Sequence, residues 1–248
     1  MCLAVAARIV SPLMLRNDMR RFFVSSGWIF IATIVLVLAF IPFDPLISQR
    51  AQALPAAVVG FNQAITDFGT FRWMLYTTGF LAILAYTAAR AFGTRAYGVR
   101  IRTTWRLLFY FFSTIGTASV LVHLLKFLIG RARPELLMEM GAYSLTPFTG
   151  DNLYESFPSG HSAAAGSFFG AFLMLVPRFR FLFIGLALVI GVSRVIVGAH
   201  YPSDVAAGLL LGTWTAIAFA FIFARGGWLF SFNENGWPHP KHAVSRRS

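Results

Sequence analysis

The sequence predicts an all-α integral membrane protein, a six-helix transmembrane bundle formed by one polytopic domain, 1–248. Three observations predict it. Hydrophobic residues make up 57% of the chain and charged residues 12%, about half the charge of an ordinary soluble domain. Long runs without charge recur along the chain. Basic residues gather in alternate connections between those runs.

The runs 22–43, 73–89, 107–125, 156–177 and 205–224 are each long enough, or nearly so, to cross a bilayer of about 30 Å. A sixth, 181–193, is too short until Arg194 is admitted to the membrane, when it reaches Ala199. The expected spans are therefore 22–43, 73–90, 106–128, 159–177, 180–199 and 203–225. With the amino terminus in the cytoplasm, Arg8, Arg16, Arg20 and Arg21 precede the first span, and Arg90, Arg95, Arg100, Arg102 and Arg106 flank the second connection. Arg178 and Arg180 form the fourth, and Arg225, Lys241, Arg246 and Arg247 follow the last span. That side holds 15 of the 21 basic residues but only Asp18 and Glu234 among the acids. Such a positive-inside bias places both termini in the cytoplasm. It also explains the net charge of +12 as topology, without a nucleic-acid partner.

Trp28, Trp73, Trp105 and Trp228 fall near span ends, where interfacial aromatics belong, whereas Trp214 is mid-span and suits helix packing. Cys2 is the single cysteine, so no intrachain disulfide forms. The first run is too long for a signal-peptide core. Ala51-Gln52-Ala53 mimics a cleavage site but lies well past it, so the span is expected to be retained.

Two extracytoplasmic connections are long enough to fold. In the first, Ile47, Ala51, Leu54, Val58, Phe61, Ile65 and Phe68 recur at spacings of four and three, an apolar helical stripe. A helix from Pro55 to Phe68, ended by Gly69, would lie in the membrane surface or pack on the bundle. The second, 131–157, mixes Leu136, Leu137, Met138, Met140, Tyr143, Phe148 and Tyr154 with four acids, and suits a cover over a site entered from the bilayer.

The chemistry sits in three segments: Lys126 with Arg133-Pro134, Pro158-Ser159-Gly160-His161, and Ser193-Arg194 with His200 and Asp204. The predicted topology brings all three to the extracytoplasmic face. Ser159 is a plausible N-cap for the fourth span and Tyr201-Pro202 opens the sixth, so two helix amino termini would aim N–H groups at one spot. Such ends attract anions, and Lys126, Arg133 and Arg194 supply cations suited to phosphate oxygens. Asp204 can orient His200 as a nucleophile while His161 protonates a leaving oxygen. No Cys/His/carboxylate set has metal-ligand spacing, so no metal or other cofactor is implied.

Taken singly, each residue has a plainer reading. Lys126 could snorkel, Arg133 could flank a span, and Ser-Gly before a helix is ordinary capping. Arg194 is harder to explain away, since a charge at mid-membrane costs about 2.5–3.5 kcal/mol even on a lenient scale. His123, on the same side as Lys126, reads as a packed, hydrogen-bonded histidine, and Arg131 as a headgroup or loop contact. His239 and His242 carry no signal.

The three segments, in this order and spacing, resemble the signatures of the type 2 phosphatidic acid phosphatase superfamily over 126–204, and the six-span layout extends the likeness. The resemblance implies a haloperoxidase-like core and a metal-independent lipid phosphatase of a bacterial inner membrane, with its site facing the periplasm. It implies a phosphohistidine on His200, with Asp204 supporting it, His161 as acid, and Lys126, Arg133, Ser159, Gly160 and Arg194 as phosphate ligands. Lipid A, undecaprenyl pyrophosphate and phosphatidylglycerophosphate are the expected substrate classes, lipid A foremost. A lipid-to-lipid phosphotransferase would use the same site. A binding protein or transporter for anionic lipids would need the cations but not the His200–Asp204 pair.

Overall fold

The protein, seen in a computed structural model, is described over Gly27 and residues 31–92 and 98–241. The predicted start of the first span, Cys2, Trp28, Arg95, His242 and the terminal arginines lie outside the described residues. The fold is mostly helical. Helix α1 is Ile31–Gln52 and α2 Ala56–Asp67. They are followed by α3, Phe71–Phe92, and α4, Gly98–Ile129. A short α5, Leu137–Met140, lies in the 131–157 connection. The chain continues through α6 (Gly160–Leu175), α7 (Arg180–Ile196) and α8 (Pro202–Arg225) to a two-stranded antiparallel hairpin, β1 (Phe230–Phe232) with β2 (Pro238–Pro240). Among the described residues, four helices are long and apolar enough to cross a membrane: Ile31–Gln52, Gly98–Ile129, Pro177–Ile196 and Pro202–Arg225.

Helix α1 runs about two turns beyond its predicted end. Pro42 and Pro45 look like breakers, but each stands in the first turn of its segment, Pro42 in the 3-10 turn Ile41–Phe43 and Pro45 in the helical stretch that follows. Both prolines fall where a 3-10 turn interrupts the α-helical ladder, and that local change of pitch accommodates their missing amides. The extension turns Asp44 and Ser48, four residues apart on one face, into the protein interior. It also splits the expected apolar stripe, leaving Ile47 and Ala51 on α1, Leu54 in the break, Val58, Phe61 and Ile65 on α2 and Phe68 at its C-cap. Helix α2 keeps the predicted bounds, with Pro55 at its N-cap and Phe68 at its C-cap. It packs on α7 and buries Thr66, while Leu54, Val58, Phe61 and Phe68 stay exposed as an outward apolar ridge.

The bundle is held by a seam of small residues between α6 and α8. Ser162, Gly166 and Gly170 on α6 meet Gly208, Gly212 and Ala216 on α8, each set spaced by four. A Cβ on Gly212 would stand 2.1 Å from the Ala163 carbonyl oxygen, and one on Gly208 2.4 Å from that of Ser159. In lipid there is little hydrophobic drive between helices, so such backbone-to-backbone packing supplies the attraction. Tyr110 ties α4 to the same seam, its hydroxyl donating to the Ala216 carbonyl at 2.8 Å. At the far end Trp105 stacks on Phe109 at 5.8 Å and meets Trp228 at 5.4 Å. The hairpin, which periodicity does not predict, tucks Leu229 and Phe230 into this aromatic end.

Candidate active site

Four helix ends converge on a cavity of about 630 Å³. Lys126 from the end of α4, Arg133 from the second connection, Gly160 and His161 from the start of α6, Arg194 from α7 and His200 from the α7–α8 turn all line it. Local sequence sets each position. Ser159 caps α6, its Oγ accepting from the Ser162 N–H at 3.4 Å and the Ser162 hydroxyl at 2.9 Å. Its own N–H donates to the Asp204 carbonyl at 3.0 Å, binding the start of α6 to the start of α8. The Ser159 side chain is thus turned into its own helix, and Gly160 and His161 are what that terminus offers the cavity. Gly198, at φ +70°, ends α7, and Pro202 opens α8 in its first turn.

Beside Arg72, three cations of the cavity, Lys126, Arg133 and Arg194, have neutral hydrogen-bond partners only. Lys126 donates from Nζ to the Glu155 carbonyl at 2.7 Å, Arg133 from Nη2 to Asn152 Oδ1 at 2.7 Å, and Arg194 from Nη1 to Thr66 Oγ1 at 3.2 Å. Among the described residues none of the three pairs with a carboxylate, and the buried Nε atoms of Arg133 and Arg194 have no hydrogen-bond partner. Several buried donors facing one space suit an anion with several acceptor oxygens.

Behind His200 the arrangement is reversed. The His200 ring is 2% exposed, with Nδ1 3.7 Å from Asp204 Oδ2, longer than a hydrogen bond but within ion-pair range. Burial pushes the imidazole pKa down to about 4, against the opposing pull of Asp204 and with reinforcement from Lys126 and Arg194. The ring is therefore neutral near pH 7 and keeps a lone pair. Asp204 is fully buried. Its Oδ2 accepts from the Ser156 hydroxyl at 2.6 Å and the Tyr201 N–H at 2.9 Å, and its Oδ1 accepts from Arg131 Nη1 at 2.6 Å.

Arg131 makes the loop contact the sequence allowed, Nε and Nη2 both donating to the Ala142 carbonyl, and goes beyond it. It is no headgroup contact: it is 6% exposed and bridges Asp204 to Asp44 of α1, with Nη2 2.8 Å from Asp44 Oδ2. Burial alone would lower its pKa, but Asp204 and Asp44 outweigh that and raise it. Asp44 was missed altogether. Its signal was an acid at the end of an apolar run, because a charge buried at membrane depth needs a partner. Which of the basic residues it takes depends on topology.

His123 is hydrogen-bonded as expected, Nδ1 lying 2.7 Å from the Ser119 carbonyl, but it is exposed and lines the cavity rather than packing. Thr70, Phe71, Arg72, Leu75, Tyr76, Ser119 and Val122 complete the wall, so the cavity extends from the cations along α3 and α4. The 131–157 connection is a brace more than a cover. Pro134 accepts from Gln52 Nε2 at 2.7 Å and Tyr143 donates to Ile41, so the segment docks on α1. Only Arg133 of it lines the cavity.

These residues lie in a stretch that comparison with known proteins picks out. The PAP2 superfamily profile matches residues 104–228, which contain every cavity cation but Arg72 and both histidines of the predicted site. A lipid A 1-phosphatase of Rhizobium johnstonii is 40% identical over 214 residues, 86% of either chain. One from Rhizobium etli is 39% identical over 214 residues, 86% of this chain and 91% of that one. The crystal structure of a transmembrane PAP2-type phosphatidylglycerolphosphate phosphatase from Bacillus subtilis shares the fold, with a TM-score of 0.55 over 80% of this chain and 96% of its own, at 22% identity. Matched by the family profile over half its length, and by relatives at 39–40% identity over 86% of it, this chain belongs to the PAP2 superfamily.

Proposed function

We propose that this chain removes the 1-phosphate of lipid A at the periplasmic face of a bacterial inner membrane. Family membership makes it a membrane lipid phosphatase. The substrate is inferred from the two lipid A 1-phosphatases it resembles along most of its length. The chemistry is carried by one observation: Lys126, Arg133 and Arg194, without carboxylate partners, share a cavity with a buried neutral His200.

In this reading the phosphate oxygens lie among the three cations and the N–H groups at the start of α6, where Gly160 leaves room for close approach. His200 attacks phosphorus through Nε2, the nitrogen away from Asp204. The bond from phosphorus to the lipid oxygen breaks, its electron pair stays on that oxygen, and His161 supplies the proton. Phosphorylated His200 carries a positive ring, which Asp204 stabilises. Water then attacks phosphorus and gives a proton back to His161. The P–N bond breaks and returns its electron pair to His200. Ser159 acts as the cap that aims this terminus, and no metal enters the scheme.

The cavity supports a lipid headgroup, because it is far larger than a phosphate needs and lies within the span of about 300–1,000 Å³ usual for ligand sites. Its polar lining continues past Arg72, Tyr76, Ser119 and His123. We place six crossing helices, α1, α3, α4, α6, α7 and α8, in a single domain over 1–248 with both termini cytoplasmic, on the strength of the basic connections. Helix α6 has 16 residues, about 24 Å, and would cross only within the bundle.

The test is phosphate release by purified protein in detergent with EDTA, against lipid A, undecaprenyl pyrophosphate and phosphatidylglycerophosphate. Release from lipid A that disappears in a folded His200→Ala protein is expected. Release from another lipid alone overturns the substrate, and undiminished release by His200→Ala overturns the mechanism. Labelled phosphate arriving on a second lipid in place of water would make the enzyme a phosphotransferase.

A further inference from the structure

We propose that Asp44 and Arg131 form a positioning pair for the nucleophile: Arg131 fixes Asp204 behind His200, and Asp44 fixes Arg131 and limits its draw on the Asp204 charge. The proposal rests on the reading of His200 as nucleophile. It concerns a residue, Asp44, that lies outside the segment matched by the family profile.

The geometry is fully specified. Arg131 donates from Nε and Nη2 to the Ala142 carbonyl, at 3.1 and 2.9 Å, from Nη1 to Ser203 Oγ at 2.7 Å and Asp204 Oδ1 at 2.6 Å, and from Nη2 to Asp44 Oδ2 at 2.8 Å. Its guanidinium lies over the Tyr201 ring at 4.3 Å. Asp44 uses both oxygens: Oδ1 accepts from the Ser203 N–H at 3.0 Å, and Oδ2 from the Ser203 hydroxyl at 2.5 Å as well as from Arg131. Ser203 is therefore a clasp between the two charges, one residue before Asp204.

This arrangement does more than anchor α1. Two carboxylates share one guanidinium, so the buried group behind His200 carries a net negative charge, while three cations stand in front. Without Asp44 that charge would fall to zero, and Arg131 would lean wholly on Asp204. The ring would then lose support at the moment it becomes positive. Without Arg131, Asp204 would keep its charge but lose the contact that fixes its Oδ1. The two removals push the His200 field in opposite directions. A pair that only held helices together, away from the ring, would leave both that field and the turnover rate of the folded protein unchanged.

The groups facing His200 are Lys126 of α4, Arg133 of the connection, His161 of α6, Arg194 of α7 and Asp204 of α8, and all are retained in the test variants. Full-length protein in detergent, labelled at histidine, would be titrated by NMR, with His200→Ala assigning the signal. Asp44→Asn should lower the His200 pKa and Arg131→Gln should raise it. Single-turnover phosphate release from lipid A should fall on the order of ten-fold in Asp44→Asn, the scale of an outer-shell partner. Inhibition by vanadate should stay within about two-fold, since the cavity cations that hold a phosphate-like anion are untouched. Shifts of the same sign, or none, in the two variants would overturn the proposal. So would an unchanged turnover rate in folded Asp44→Asn. Should either variant fail to fold, Ser203→Ala decides, since it loosens the clasp and keeps every charge. A lower turnover rate at unchanged vanadate inhibition supports positioning, and an unchanged rate overturns it. The NMR titration needs no turnover, so failure to release phosphate from lipid A would count against the proposed function alone.

Discussion

Arg131 and Arg133 stand two residues apart on one connection and have opposite environments. Arg131 is buried between two aspartates with all its donor nitrogens engaged, and Arg133 reaches a single amide oxygen and leaves its Nε unpaired beside the cavity. The lesson is that a cation's partners, more than its position, separate structure from ligand binding. A guanidinium already satisfied by carboxylates has nothing left for a phosphate. One held by a neutral oxygen keeps its charge available.

Arg133→Ala should break the ligand side of this contrast with the largest effect. Phosphate release should drop by about 10²–10³, the usual cost of a transition-state donor, while the melting temperature changes little. Arg131→Ala should break the other side. It strands two buried carboxylates and should destabilise the protein by about 3–5 kcal/mol, read as a lower melting temperature in the same detergent. Should the two variants exchange these phenotypes, the division of roles is wrong.

Gly212→Ala tests what keeps the two sides apart. Its Cβ would press on the Ala163 carbonyl, so α6 must move from α8, at a cost of about 1–3 kcal/mol. Activity should fall with stability, since the Ser159–Asp204 bond spans that seam. A fully stable, fully active variant would show that the seam does not locate the site. The smallest effect concerns pH. Because the His200 pKa is lowered, the neutral ring persists at every pH above about 4 and is lost only as pH falls through that value. Single-turnover release should therefore hold its nucleophile from pH 7 to 5 and decline near 4. A loss of free nucleophile already near 6.5 would show that burial does not govern the ring.

The sequence made the helices legible wherever charge-free runs met basic connections, and α2, α3, α6 and α8 fall within about two residues of expectation at their ends. It misjudged α1, because Pro42 and Pro45 stop a helix only when an amide is needed there. It also began α4 too late, since the turns carrying Arg100 and Arg102 are helical without being apolar. That Lys126, Arg133, His161, Arg194 and His200 meet at one cavity, with Asp204 behind His200, was readable because these residue types make sense only together. Asp44 and Arg131 were not, since a pair 87 residues apart leaves no periodic trace. The β1–β2 hairpin was equally silent, its second strand being Pro-His-Pro.

The glycine seam has a consequence for how such proteins diversify. It locks the floor that holds His161, His200 and Asp204, whereas Arg72, Tyr76, Ser119 and His123 belong to α3 and α4, outside the seam. Substitutions on that wall can reshape the far part of the cavity without moving the ends of α6 and α8. In the proposed function, the choice of lipid thus falls to one wall of the cavity and the chemistry to another.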